Sequence, residues 1–253
     1  MADWGRMAPV DRYAWACRWR SYHPMEKTVL AAGLLVVALV LPPAGSAAPV
    51  MMAAFAATVI GAGVPVRAFL SVLAMPAGFL LAGLPALAVS IDTAAAFPLV
   101  ITAEGLRQAV LVSARALAAM SCLALLILTT PVTDLVRLAR SAGLPVAIAD
   151  LAFLIHRLIF VFLERAEAGH HAQAARLGYV SFRASVRSLG MLGGGLLLRS
   201  LDRGRRLNYG LAARGYDGEL RVLAPIMPVS CSRLAWAFVM IAGVALLSWE
   251  VGR

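Results

Sequence analysis

The sequence predicts an all-α integral membrane protein with about five transmembrane helices, each of about 20 residues, plus long helices on the cytoplasmic side. Of 253 residues, 61% are hydrophobic and 14% charged, against roughly 45 to 50% and about 25% in soluble domains. Mean hydropathy is +0.83. A soluble enzyme of ordinary design is excluded, because most of its surface would have to face water. The charges are also segregated, with long uncharged runs alternating with short basic stretches.

Thr28 to Val66 carries no ionisable side chain, and Leu41-Pro42-Pro43-Ala44-Gly45-Ser46 interrupts it. Those six residues read as a turn between two spans, Lys27 to Leu41 and Ala47 to Gly63. Both are shorter than the usual crossing and would need tilt or local thinning of the bilayer. Ala68 to Ile91 is uncharged, Arg107 to Thr130 holds only Arg115 within it, and Leu234 to Trp249 is the last run. The segment before the first run contains Trp4, Trp15, Trp19, Tyr13 and Tyr22. Those aromatics suit a retained interfacial segment better than a cleaved leader.

Loop charge sets the expected orientation. The net charge is +10, from 23 Lys+Arg against 13 Asp+Glu, and Lys27 is the single lysine. Residues 1–27 are basic, the turn near 43 is neutral, Arg67 marks the next turn, and the loop 92–106 holds only the acids Asp92 and Glu104. This alternation predicts a cytoplasmic N-terminus and four crossings by residue 130. The Arg-rich stretch 131–228 then belongs inside, and residues 229–253 cross outward. The apolar stretch Leu144 to Leu163 is expected to lie along the inner face, because its crossing would export the arginines that follow. The expected organisation is 1–27 cytoplasmic or interfacial, 28–130 a four-helix transmembrane domain, 131–228 cytoplasmic, and 229–253 a final span. The positive charge suits anionic lipid headgroups, and no nucleic-acid module is present.

Two pieces of the basic segment resemble each other. Ala174-Ala175-Arg176-Leu177-Gly178-Tyr179 and Ala212-Ala213-Arg214-Gly215-Tyr216 place their arginines 38 residues apart. Long helical patterns precede each, over Leu144 to Arg176 and Phe182 to Arg214, and Gly178 and Gly215 are the expected C-cap residues. Helices of that length extend about 48 Å, so the two tips are expected tens of Å apart, where they could touch two copies of one partner. Singly, either arginine is accounted for by the negative end of a helix macrodipole. The repeated small residues around each also suit a guanidinium entering a narrow groove and meeting a carboxylate bidentately.

With these motifs, the chain resembles the transmembrane coupling (T) subunit of energy-coupling factor (ECF) transporters, of the CbiQ type from cobalt uptake systems. The pair of Ala-Arg motifs is the strongest part of the likeness, with Ala213-Arg214-Gly215-Tyr216-Asp217-Gly218-Glu219 close to the CbiQ form of the second. Asp11-Arg12-Tyr13-Ala14, His23-Pro24-Met25-Glu26-Lys27, Thr129-Thr130-Pro131 and Gly143-Leu144-Pro145 support it. Leu177 departs from the Ser or Gly common in the first motif.

The resemblance implies a multi-pass protein of the bacterial cytoplasmic membrane, moving cobalt or alternatively nickel. It implies two ABC-type ATPase subunits, a substrate-binding membrane subunit of CbiM type, and a small accessory membrane subunit of CbiN type. The ATPase-coupling residues carried over are Ala175, Arg176 and Leu177 in the first motif and Ala213, Arg214 and Gly215 in the second. The stretch 144–163 and Leu192 to Leu201 are expected to face the substrate-binding subunit.

No Walker A, His-Glu-x-x-His or Gly-x-Ser-x-Gly pattern occurs, so no catalytic residue, cofactor or metal site is expected. His170 and His171 are adjacent and diverge by about 100° on a helix, which suits a solvated face. His156-Arg157 reads as an interfacial pair. Arg115 is read either as a functional intramembrane cation or as a side chain reaching the outer interface. Gly193-Gly194-Gly195 reads as a helix bend. The alternative class is a self-sufficient permease or intramembrane enzyme, which would need polar groups converging at depth.

Overall fold

In the computed structural model, residues 9–91, 99–101, 103–217 and 228–252 are described. The elements are α1 (Pro9–Ala16), a 3₁₀ turn (Arg18–Ser21), α2 (Pro24–Val40), α3 (Pro43–Ala56) with a π segment (Ala57–Gly61), and α4 (Val66–Ala88). Then follow β1 (Val89–Ile91), β2 (Leu99–Ile101), α5 (Ala103–Thr129), α6 (Val132–Ser141), α7 (Val146–Ala175), α8 (Phe182–Ala212) and α9 (Cys231–Val251). The architecture is all-α. The two short strands pair antiparallel, Ser90 opposite Val100, and join α4 to α5.

Five of these helices are long and apolar enough to cross a membrane: Pro43–Gly61, α4 over Val66–Pro85, α5, α7 and α9. The protein is a multi-pass membrane protein. α2 has 17 residues, the short end of a crossing. α7 meets the length and composition of a span, although its first part was expected along the inner face.

The turn expected over Leu41 to Ser46 is shorter than predicted. α3 begins at Pro43, because a proline at the first helical position supplies the fixed φ and lacks only an N–H that would be unpaired there. Gly45 is therefore a packing residue. A Cβ there would come within 2.5 Å of Gly252 N, so only glycine lets the α3 backbone touch the end of α9.

The described residues fall into two compact units: those of 9–135 with 228–252, and those of 136–217. In the first, α5 is central, packed against α1, α2, α3 and α4, while α9 packs on α2 and α3. Its core is built largely from small side chains such as Ala31, Ala38, Ala54 and Ala118, with Leu34, Val50 and Leu125. Large apolar side chains point outward, with Met75 85% and Phe79 80% exposed. Small inside and large outside is the pattern of helices packed in lipid, where close backbone approach replaces the hydrophobic drive.

One end of this unit is tied by charged groups. Lys27, buried in the first turn of α2, donates from Nζ to the Thr129 carbonyl at 3.0 Å. That carbonyl lies at the end of α5, where it has no helical partner. Cys17 Sγ donates to the same oxygen at 3.6 Å. Glu26 Oε1 accepts from Ser230 N, the cap of α9, at 2.8 Å, and Glu26 Oε2 lies 3.4 Å from Arg233 Nε. A carboxylate at a helix N-terminus and a cation at a C-terminus both complement the macrodipole. Arg20 binds the buried Asp134 in the first turn of α6 at 2.6 Å, and Arg20 and Arg233 stack over Trp15 and Tyr22, each at 4.2 Å.

Candidate functional site

The second unit takes in most of α6 and a helical hairpin. α7 and α8 have 30 and 31 residues and run antiparallel from a short turn in which Ser181 caps α8, its Oγ accepting from Ala184 N at 3.3 Å. Gln173 Nε2 donates to the Ser188 carbonyl at 3.0 Å. One turn back on α7, Gly169 faces Leu192.

Both helices end in the same backbone turn. At the first tip, Leu177 N donates to Ala174 O at 3.0 Å and Gly178 N to Gln173 O at 2.9 Å. At the second, Gly215 N donates to Ala212 O and Tyr216 N to Leu211 O, each at 3.1 Å. Each is a Schellman motif, whose paired bonds satisfy two carbonyls that the helix leaves open. Arg176 and Arg214 both fall on the last residue before the left-handed position, and both are exposed. Ala175 and Ala213 precede them as the last residues with helical neighbours. α8 separates the two tips by about 46 Å at 1.5 Å per residue.

The left-handed residue differs between the tips. At the second it is Gly215, φ 74°, as expected. At the first it is Leu177, φ 59°, not the expected Gly178. Gly178 is required for closeness: a Cβ there would lie 2.8 Å from Ser188 Oγ and 2.9 Å from the Gln173 carbonyl. A left-handed leucine costs roughly 1–2 kcal/mol, and this one is 74% exposed, so burial of its own side chain does not offset the strain.

A network missed in the sequence holds the first tip. Tyr179 Oη donates to Gln173 Oε1 at 2.7 Å, and buried Ser188 donates to the Gly178 carbonyl at 2.8 Å. The His170 ring packs against Tyr179 at a tilt of 36°, 4.7 Å between centroids. The tyrosine after each motif was the available signal. At the second tip the described residues end at Asp217, so Gly218 and Glu219 lie outside them.

The remaining candidates have structural roles. Arg115 Nη2 donates to the Leu41 carbonyl at 2.8 Å, closing the C-terminus of α2. α8 runs unbroken through Gly193-Gly194-Gly195. His156 sits edge-on to Phe160, 5.2 Å between centroids. Among the described residues, no group of three or more His, Cys, Asp or Glu gathers as a metal site would require. Burial pushes the Cys17 thiol above its ordinary pKa, despite the opposing Lys27 charge.

Residues 16–226 match the family model for CbiQ, described as cobalt transport protein. The chain belongs to the CbiQ family. The match takes in both arginine tips and, at the charged end of the membrane unit, Cys17, Arg20, Glu26, Lys27 and Asp134, while Trp15, Ser230 and Arg233 lie outside it. A CbiQ cobalt transport protein from Rhodobacter capsulatus is 38% identical over 218 residues, covering 86% of this chain and 88% of that one. The Salmonella typhimurium CbiQ is 28% identical over 226 residues, 85% of this chain and all of the relative. A Methanocorpusculum labreanum protein named as a fused cobalt transport protein CbiMQ is 40% identical over 123 residues, 49% of this chain and 20% of that protein. In that protein, by its name, a CbiQ portion is joined covalently to a CbiM portion.

Proposed function

We propose that this chain is the transmembrane coupling subunit of an ECF-type ABC importer for cobalt, with nickel as the alternative ion. Two ABC-type ATPase subunits each hold one tip, through Ala175, Arg176 and Leu177 at the first and Ala213, Arg214 and Gly215 at the second. α7 and α8 carry the closing and opening of the ATPases, as rigid elements moved by rigid-body rotation, to a substrate-binding membrane subunit of CbiM type. The charged end of the membrane unit and the hairpin lie on the cytoplasmic side of the bacterial inner membrane, as the arginine distribution favours. The chain hydrolyses nothing itself. The observation that carries this reading is the repeated turn: two exposed guanidiniums in the same backbone setting at opposite ends of one helix.

The fused CbiMQ relative supports the CbiM-type partner, since fusion of two functions in one chain is an economical way to keep them adjacent. The test replaces both arginines, Arg176→Ala with Arg214→Ala, and purifies the complex through a tag on this chain. Loss of copurifying ATPase and of ATP-dependent metal uptake is expected. Unchanged assembly and transport overturns the assignment.

A further inference from the structure

The arginines of the hairpin are more numerous than two docking tips require, and four of them converge elsewhere. Arg199, Arg203 and Arg206 recur on α8 at spacings of four and three, which places them on one face. Arg165 on α7 lies in the register set by the Gly169–Leu192 and Gln173–Ser188 contacts, and so comes opposite them. Together they line a groove of about 360 Å³ between the two helices.

We propose that this groove binds the phosphodiester headgroup of an anionic phospholipid. Three observations favour that occupant. First, the charge is unbalanced: the one carboxylate in the groove, Asp202, is taken by Arg206 at 2.9 Å. Among the described residues, Arg165, Arg199 and Arg203 show no ion pair. Like charges four residues apart on a helix repel, and an anion between them removes that cost. Second, the groups are guanidiniums, whose planar fork matches two phosphate oxygens at once. Third, Val161, Phe162 and Leu196 wall the same groove, giving the glycerol and upper acyl chain an apolar surface that a soluble phosphate would leave bare. Arg165 also comes two residues after the apolar run ending at Leu163, with Glu164 between them, the level at which headgroups meet a helix lying in or on a bilayer. The inference is independent of what the two tips hold, and it assigns to lipid the Val161, Phe162, Leu196 and Arg199 portion of the stretches expected to face the substrate-binding subunit.

The test uses the full chain in phosphatidylcholine nanodiscs, with phosphatidylglycerol titrated in and bound lipid counted by native mass spectrometry. Removing Arg199 and Arg203 together, as Arg199→Gln with Arg203→Gln, is expected to weaken phosphatidylglycerol binding about fivefold per arginine. The pair Arg183→Gln with Arg187→Gln removes the same charge from exposed positions nearer the start of α8 and is expected to change binding far less. Equal losses from both pairs would mean diffuse attraction and overturn the site. If the Gln pair does not fold, Arg199→Lys with Arg203→Lys keeps the charge without the fork and is expected to retain only part of the affinity, whereas full retention overturns the bidentate site. Inorganic phosphate is expected not to displace the lipid, and displacement would make this a free-phosphate site. Lipid binding unchanged in the Gln pair, with a partner subunit lost from the purified complex, would make the groove a protein interface instead.

Discussion

Arg176 and Arg214 occupy the same position of the same turn, each one residue before a left-handed residue, with closing bonds of 2.9 Å and 3.1 Å from the residue after it. A repeat in sequence is thus a repeat in backbone geometry, although Leu177 stands where the second tip has Gly215. The difference makes the first tip strained and the second relaxed.

Replacing the strained residue gives the first prediction. Leu177→Gly relieves roughly 1–2 kcal/mol of left-handed strain and adds about 0.5–1 kcal/mol of unfolded-state entropy. The expected result is a small rise in thermal midpoint of the detergent-purified chain. Gly215→Leu should lower the midpoint. A fall with Leu177→Gly would show that the leucine is held by contacts worth more than its strain.

Lys27→Met keeps the length of the stem but removes the donor to the Thr129 carbonyl. An orphaned buried acceptor costs about 1–3 kcal/mol, so unfolding in denaturant should shift by that amount. No shift would mean that Cys17 alone satisfies the carbonyl.

Gly45→Ala puts a methyl against the backbone of Gly252. Overpacking of this kind costs about 1–3 kcal/mol, and it should loosen α9 specifically. Faster hydrogen exchange at Val244 to Ser248 than in the rest of the membrane unit is the expected signature, whereas unchanged exchange would place the close approach elsewhere.

Cys17 is buried and Cys231 exposed. With the Cys17 thiol held above its ordinary pKa by burial, its thiolate fraction at neutral pH falls below that of a free cysteine, and the thiolate is the reactive form. Maleimide at neutral pH should label Cys231 in the folded chain and reach Cys17 only after unfolding. Equal labelling would show that the N-terminal segment opens readily.

Much of this was legible in the residues. Uncharged runs gave the membrane class, and the paired Ala-Arg motifs gave both tips, because a motif repeated within one chain needs no structure to be seen. The limit of α3 was misread because Pro43, Ala44 and Gly45 look like turn residues, and only the contact with Gly252 reveals why a glycine is there. The left-handed role passed from Gly178 to Leu177 because Gly178 was needed for its closeness to Ser188, a residue ten positions away that no local pattern points to. The Arg115 bond to the Leu41 carbonyl was likewise hidden, since it spans two helices.

The central claim is that both tips dock on ATPase subunits, and crosslinking in native membranes tests it most directly. With a photoreactive crosslinker placed through Ala175→Cys in one variant and Ala213→Cys in another, each tip should give an adduct with an ATP-binding subunit. Adducts with lipid or with neither subunit from both tips would contradict the account.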